Sequence, residues 1–558
     1  MKKSILTLPI FLLFLLTMFT SASKAQTWAW AKSAGGMTKV ESYAIAIDKW
    51  GNSYITGYFE DSIRFGPVTL HNTGNAYSSD IFLAKYDVNG AFVWAQKAGG
   101  AQYDYGTGLV TDSIGDVFVT GLFESSATFG TLPAISSSGS FDVFIAKYDT
   151  NGNAIWVKKG GGTGWEYGNG IAIDNRGNCI ITGSFLGSAT FGTTTLTSSG
   201  SNDAFVAKYN GNGGFLWAKR AGGTGDDKSL AVTTDPIGNS YITGYFSGTV
   251  SFGTSTITSA GGFDMFFAKF DANGNAVFAK KGGGSLEDEG KSIKADSKGG
   301  CFVTGYYNGT ATFGISTTVT SAGMADIFTA RYDYKGDLIW VKSFGSPHDD
   351  KGYAICIDSI ENSYFAGSFF NTAQFDTITA VSANQDDAFI CALDSNGRAK
   401  WVRHGGGLNP DVATGLAVNS AGDCYTTGYF SLSADFGTHN ITGWADNDAF
   451  TAKLARVVIP QGISEIGGNL NHVVFYPNPF NSVVTIELGL NSSSLPVSVE
   501  LFDIRGREVT ALAEISKVKN LYDTKQLTIS RGGLTEGLYF GKISQGDKTS
   551  VIRLMLIK

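Results

Sequence analysis

The sequence predicts an all-β fold of repeated four-stranded sheets, and three observations carry that prediction. Trp30, Trp94, Trp156, Trp217, Phe278, Trp340 and Trp401 recur at intervals of 64, 62, 61, 61, 62 and 61 residues, each in a setting like Trp-Ala-Lys-x-Ala-Gly-Gly. Between these marks the apolar residues alternate with a period of two, broken by Asp-x-x-Gly turns, and no helical period competes. The composition agrees: 73 glycines among 558 residues, 13% aromatic and only 16% charged. That suits short strands joined by tight turns and excludes a disordered chain.

The elements follow in order along the chain. Met1-Lys2-Lys3, the apolar run Ile5 to Phe19 and the small-x-small site Ser23-Lys24-Ala25 before Gln26 read as a secretory signal peptide over 1–25. The apolar run is shorter than the roughly 20 residues of a membrane span, and no later stretch supplies one. Loss of Lys2, Lys3 and Lys24 takes the formal charge from −7 to −10, so the exported chain is acidic. An acidic chain with no basic block longer than two residues lacks the electrostatic footprint of a nucleic-acid binder.

Each repeat then offers an inner strand such as Ala44 to Asp48, a turn over Asp48 to Asn52 and a second strand, Ser53 to Phe59. A third strand, Asp80 to Tyr86, a turn over Asp87 to Gly90 and the Trp strand complete it. Glycine supplies the positive φ that such turns require. Seven inner strands begin near Ala44, Gly108, Gly170, Ala231, Ser292, Ala354 and Gly415. Seven Trp strands match them in number but not in phase, because the first, Thr27 to Ser33, precedes every complete repeat and the last repeat, ending at Leu454, lacks its own. The architecture predicted is a seven-bladed β-propeller over 26–454, closed by the N-terminal strand as outer strand of the last blade, with a linear solenoid as the alternative. Five cysteines, at 179, 301, 356, 391 and 424, cannot all pair; Cys179, Cys301 and Cys424 share one strand position and are expected as free thiols.

Asp-x-x-Gly-Asn-x-Tyr-x-Thr-Gly-Tyr, followed by Asp-x-Phe-x-Ala-Lys-Tyr-Asp-x-x-Gly, resembles the seven-bladed β-propeller repeat family of exported bacterial proteins over about 43–454. That family implies a surface or interaction scaffold and brings no catalytic motif. The sixth repeat departs, with Ser363-Tyr364-Phe365-Ala366-Gly367 for the Thr-Gly strand and Phe375-Asp376 for the usual Phe-Gly.

After Leu454 the period stops. Residues 455–472 read as a linker, and 473–558 as a small β-sandwich. Pro477-Asn478-Pro479, Phe502-Asp503-Ile504-Arg505-Gly506-Arg507, Gly537-Leu538-Tyr539-Phe540 and the terminal Lys558 resemble the C-terminal sorting domain of type IX secretion substrates of the Bacteroidota. The resemblance implies recognition by the type IX machinery, transport across the outer membrane, and a cargo released or attached to the cell surface.

Candidate site residues are those that recur and those that break the repeat. Glu41, Asp104, Glu166, Asp227, Asp288, Asp350 and Asp411 place one acid in each connection leading into an inner strand, a candidate acidic ring for Ca²⁺ in a chain otherwise expected to carry no cofactor. The alternative for these acids is that each accepts N–H bonds from its Gly-Gly loop. A second series, Asp80, Asp142, Asp203, Asp264, Asp326, Asp387 and Asp448, opens the third strands. Residues outside the repeat pattern, Trp165, Asp226, Glu287, Glu289, His348 and Asp349, mark a candidate binding sector for a glycan or a surface protein. A P-loop is excluded at Gly160 to Gly164, because no Lys-Ser/Thr follows. No nucleophile elbow or metal-type histidine spacing occurs, so the expected function is a non-catalytic exported binding scaffold. A propeller glycoside hydrolase or lyase, with paired carboxylates in the central pocket, is the alternative. Asp61-Ser62-Ile63, Asp112-Ser113-Ile114, Asp358-Ser359-Ile360 and Asp376-Thr377-Ile378 resemble O-glycosylation acceptors of the same bacteria.

Overall fold

The computed structural model describes residues 26–75, 77–445, 447–456 and, with short interruptions, 473–556. The predicted signal peptide over 1–25, most of the linker and the Pro477-Asn478-Pro479 motif lie outside the described residues. The chain divides into two compact units with the boundary between Ala455 and Arg456.

The larger unit is all-β. Its first repeat pairs Val40–Ile47, Ser53–Glu60, Ser79–Tyr86 and Phe92–Gly99 as an antiparallel meander. Further inner strands are Asp104–Thr111, Glu166–Ile173, Asp227–Thr234, Asp288–Ala295, Lys351–Ile357 and Asp411–Val418, each opening another four-stranded meander. The Thr-Gly motif of the second strand has a local cause. Thr56 Oγ1 donates to the Phe82 carbonyl of the third strand at 2.7 Å, and a Cβ on Gly57 would fall 1.9 Å from the Glu41 carbonyl oxygen. The same threonine bond recurs at Thr120, Thr182, Thr243, Thr304 and Thr427, whereas the sixth repeat carries Ala366 at that place.

The last meander is completed from the other end of the chain. Thr27–Ala34 pairs antiparallel with Asp448–Ala455, from Thr27 opposite Ala455 to Ala34 opposite Ala449. Trp30 joins a buried cluster with Ile55, Phe59 and Phe82 of the first repeat and Tyr425 of the last, so one core runs across the closure. Thr414 Oγ1 donates to the Ser42 carbonyl at 2.7 Å and Ser42 Oγ lies 2.7 Å from Thr427 Oγ1, which joins the last inner sheet to the first.

The Phe-Gly segments are straps between neighbours, a role the repeat pattern did not reveal. The hairpin Ser188–Phe191 with Thr194–Thr197 pairs with the end of the preceding outer strand, Gly160 opposite Phe191 and Gly162 opposite Ala189. Ser251 opposite Gly222 repeats this, and Arg64 donates its backbone N–H to the Gly35 carbonyl at 2.9 Å across the closure.

The smaller unit pairs Val483–Gly489 with Thr524–Ser530, and Gly537–Gln545 with both Val497–Asp503 and Lys548–Leu556. Ile486 and Leu527 of one sheet share a core with Leu501 and Ile543 of the other. Asp503 Oδ1 accepts the backbone N–H groups of Arg505 and Arg507 at 2.9 and 3.0 Å, which closes the Asp-x-x-Gly turn.

Candidate functional site

Every inner strand of the larger unit carries a β-bulge at the same place. The register slips between Ser42 and Ala44, Gly106 and Gly108, Gly168 and Gly170, and at the corresponding pairs in the other four strands. A bulge re-aims one side chain. The residues so turned, Tyr43, Thr107, Asn169, Leu230, Lys291, Tyr353 and Thr414, line a single cavity of about 540 Å³ to which all seven inner strands contribute, joined by Glu41 and Tyr429.

This ring is not uniform. On one side, Thr107 Oγ1 donates to the Gly168 carbonyl, and Asn169 Nδ2 to the Ser229 carbonyl at 2.9 Å, so small polar side chains tie neighbouring strands. The other side is built from tyrosine, carboxylate and ammonium. Tyr43 donates its hydroxyl to Glu41 Oε2 at 2.8 Å, while Lys39 Nζ and Asn447 Nδ2 each approach Glu41 Oε1 at 2.8 Å. Tyr306 donates to Glu289 Oε1 at 2.6 Å and Lys291 to Glu289 Oε2 at 2.5 Å. Lys291 and Lys351 lie 5.3 and 5.1 Å from the Tyr306 ring centre, within cation–π range. Burial, then the nearby Tyr429, Asp386, Glu289 and Asp349, pushes the Tyr353 phenol well above its ordinary value. Burial, then Glu41, pushes Tyr429 up to about 12. These phenols therefore serve as neutral donors and apolar walls.

The predicted binding residues are brought together only in part. Glu289 is bonded to Lys291 of the cavity lining, and Asp226 and Glu287 lie close enough to act with it on the Tyr245 phenol. Asp226 is itself bonded to Asn202 Nδ2 at 2.6 Å and Lys228 at 3.4 Å. Asp349 Oδ1 accepts the Ala325 N–H at 3.1 Å and lies near Tyr353 of the cavity wall, whereas the His348 ring lies 4.7 Å from Phe370. Trp165, 52% exposed, packs with Phe141 at 5.9 Å and Tyr167 at 6.4 Å, and Tyr167 lies near Lys228, the partner of Asp226.

The candidate acidic ring needs correction at one member. Asp104 lies opposite Phe123 and Val40 opposite Phe59, so Val40, not Glu41, holds the equivalent place in the first repeat. A one-residue slip moves a side chain to the other face of a strand. The other six acids are buried and accept loop N–H bonds: Gly100 to Asp104, Gly162 to Glu166, Gly223 to Asp227, Gly284 to Asp288, Ser346 to Asp350 and Gly407 to Asp411, at 2.6 to 2.8 Å. Among the described residues, no group of three or more His, Cys, Asp or Glu is arranged to hold a metal ion. The bulged residues and the tyrosines were missed, although Thr-Gly-Tyr in four repeats was the visible signal for Tyr58, Tyr245, Tyr306 and Tyr429.

Comparison with known proteins bears on both units. Residues 474–558 match the family model described as a secretion system C-terminal sorting domain. An uncharacterized WD repeat-containing protein, L264 of Acanthamoeba polyphaga mimivirus, is 25% identical over 465 residues, covering 66% of this chain and 34% of that protein. Regulatory protein FlaEY of Caulobacter vibrioides is 28% identical over 139 residues, 24% of this chain and 14% of its own. This chain thus spans about a third or less of these relatives. Among solved structures, Sqt1 from Chaetomium thermophilum aligns at a TM-score of 0.33 and 9% identity, covering 72% of this chain and 97% of its own. A puromycin hydrolase S511A mutant aligns at 0.30 and 9%, covering 73% and 61%.

The larger unit is an all-β repeat structure that fits a β-propeller repeat family. The smaller is a type IX secretion sorting domain, which marks the chain for export to the cell surface or the extracellular space. No described helix is long and apolar enough to cross a membrane.

Proposed function

We propose that the protein is an exported, non-catalytic binding scaffold whose propeller body takes a glycan at the tyrosine-lined mouth of the central cavity. The supporting observation is the one-sided wall of Tyr43, Tyr353 and Tyr429 around Glu41 and Lys291. Aromatic faces give stacking area, and the fixed carboxylates and ammonium groups give the few polar contacts that orient a sugar. Glu41 and Glu289 are each held by a tyrosine hydroxyl and a lysine, which suits a binding wall better than the free acid and base of a glycosidase. In this reading 1–25 is a signal peptide, 26–454 the propeller, 455–472 a linker and 473–558 the sorting domain, with the cargo either released or held at the surface.

Glycan-array binding of the exported protein, followed by calorimetry with Tyr353→Ala and Glu289→Ala, tests the proposal. Loss of affinity of tenfold or more in both supports it, as one aromatic or charged contact carries about 1–3 kcal/mol. Glycan binding that both substitutions leave intact, or binding only to a protein partner, overturns it.

A further inference from the structure

Six of the junctions between neighbouring meanders bury two carboxyl groups side by side. One opens an inner strand, as Asp104 or Asp288 does; the other opens the third strand of the preceding meander, as Asp80 or Asp264 does. The remaining pairs are Asp142 with Glu166, Asp203 with Asp227, Asp326 with Asp350 and Asp387 with Asp411, and every one of these twelve groups is at most 3% exposed. Both members of a pair crowd one glycine. A Cβ on Gly99 would meet Asp80 Oδ1 at 2.5 Å and Asp104 Oδ2 at 2.7 Å, and one on Gly283 would meet Asp264 Oδ1 and Asp288 Oδ2 at 2.8 and 2.9 Å.

Their hydrogen bonds do not balance. The third-strand acid takes a loop N–H on Oδ2, such as Ala260 to Asp264 at 2.9 Å and Ala322 to Asp326 at 3.0 Å. Its other oxygen, in Asp80, Asp142, Asp203, Asp264 and Asp326, is buried without a donor, whereas in the sixth junction Asp387 Oδ1 accepts the Ala383 N–H at 3.4 Å. A buried acceptor left unpaired is costly, and the neighbouring carboxyl is the group placed to donate. Countercharge is too little for two anions. Lys97, Lys159, Arg220 and Lys281 reach the third-strand acids of the first four junctions at 3.0 to 3.5 Å. Ser343 Oγ approaches Asp326 at 3.4 Å in the fifth, and His404 Nδ1 lies 2.9 Å from Asp387 in the sixth. Other charges nearby are negative: Glu124 beside Asp104, Asp226 beside Asp227 and Asp386 beside Asp411.

We propose that each of the first five of these junctions binds one proton between its two carboxyl groups at neutral pH, the inner-strand acid donating its O–H to the unpaired oxygen of its neighbour, and that the ring loosens when alkali removes it. Burial above all, reinforced by the neighbouring carboxylate and opposed by the loop N–H bond, holds Asp104 and Asp411 at about 8 and Glu166, Asp227, Asp288 and Asp350 at about 7. An unfolded carboxyl titrates near 4, so the folded state binds the extra protons; stability is greatest below about pH 4 on this count and falls as the pH rises through 7 to 8. The junction between the last and first meanders differs. Val40 replaces the inner acid, and Asp448 takes the N–H groups of Gly36, Trp444 and Ala445 instead.

The test uses the full chain with a chelator present, unfolded thermally and by urea from about pH 5 to about pH 9 at fixed ionic strength, with infrared spectra after ¹³C labelling of aspartate. Expected are a Tm that declines from about pH 5 and levels off above about pH 8, and a protonated-carboxyl band in the folded protein that fades between about pH 6 and about pH 9. Asp288→Asn supplies a permanent donor to Asp264 and should lower the proton release on unfolding by about one, and its band intensity in proportion. A Tm that is flat or rising from about pH 6 to 9, or the absence of that band from the wild-type protein near pH 6, overturns the proposal. So does calcium restoring stability at about pH 9, which would put a cation where a proton is assigned.

Discussion

The Trp94 indole lies against Gly152 of the next repeat and donates its Nε1–H to the Thr150 carbonyl of the same turn at 3.2 Å. Trp30 and Val88, Trp156 and Gly211, Trp217 and Ala272, and Trp340 and Ser395 repeat that bond at 3.1 to 3.4 Å. The periodic tryptophan is therefore a clasp between neighbours, and the turn glycine is its seat.

Replacing that glycine should open the clasp. Gly152 has φ +84°, and a Cβ there would stand 3.0 Å from the indole, so Gly152→Ala combines backbone strain with a clash. A loss of about 1–3 kcal/mol is expected in urea unfolding. Gly177→Ala is the control, because its φ is +75° but no atom lies within 4 Å, and it should lose less. Equal losses would show that strain alone matters and that the clasp does not.

Ring closure uses the same clasp without a covalent turn behind it. Trp30 is 6% exposed and sits over Gly90, so Trp30→Ala should cost about 3–5 kcal/mol. Deleting Gln26 to Ala34 removes the partner of Asp448–Ala455 and frees a strand edge, which invites association. Light scattering and thermal melting decide it: a deletion protein that stays monomeric with an unchanged Tm would mean that this strand does not hold the ring.

Much of this was legible because repetition amplifies a weak signal. The phase of the tryptophans located the N-terminal strand, and alternation located the meanders. What escaped depends on one residue of register. Glu41 looked like the first of the acids, yet the 64-residue step from Trp30 to Trp94 leads from Val40 to Asp104, and Glu41 faces the cavity instead. The bulges that select Tyr43, Lys291 and Tyr353 leave no mark in a period-two pattern, since an extra residue reads as ordinary strand. The straps were hidden for another reason, because the Phe-Gly turn pairs with a strand of the preceding repeat.

Buried ion pairs at the opposite ends of the third strands give a second pH dependence of opposite sign. Lys208 Nζ lies 2.9 Å from Asp174 Oδ2, with side chains 4% and 1% exposed. Burial pushes Asp174 up, but Asn178, Lys208 and the Asn178 and Arg176 N–H groups outweigh it and hold it below the usual carboxylate range. Its contribution is therefore present above about pH 4 and is lost as the pH falls through the lower folded value. Lys208→Met should cost about 3–5 kcal/mol by leaving the carboxylate unpaired. Ala392 occupies this position in the sixth repeat, so Ala392→Lys is the reciprocal variant. Urea unfolding that finds Lys208→Met within 1 kcal/mol of wild type would show the pair to be dispensable.

Transport across the outer membrane should depend on the smaller unit. A chain ending at Ala455 keeps every strand of the larger unit, so it should fold with an unchanged melting profile yet remain in the periplasm of a type IX secreting host. Cell fractionation with and without residues 474–558 is the measurement, and equal surface or medium levels would show that the sorting domain is not needed.

The five cysteines should behave as core residues rather than reactive groups. All are free and buried, and Cys179, Cys301 and Cys424 open the second strands of three repeats with 0% exposure. Burial pushes all five thiols well above their ordinary value, so the nucleophilic thiolate is scarcely populated. A thiol reagent should therefore find none in the folded protein and five after denaturation, with a rate in between that follows unfolding. Rapid modification of any cysteine in the native protein would mean that its strand opens locally, and fewer than five thiols after unfolding would mean that two of them had paired on the way out of the cell.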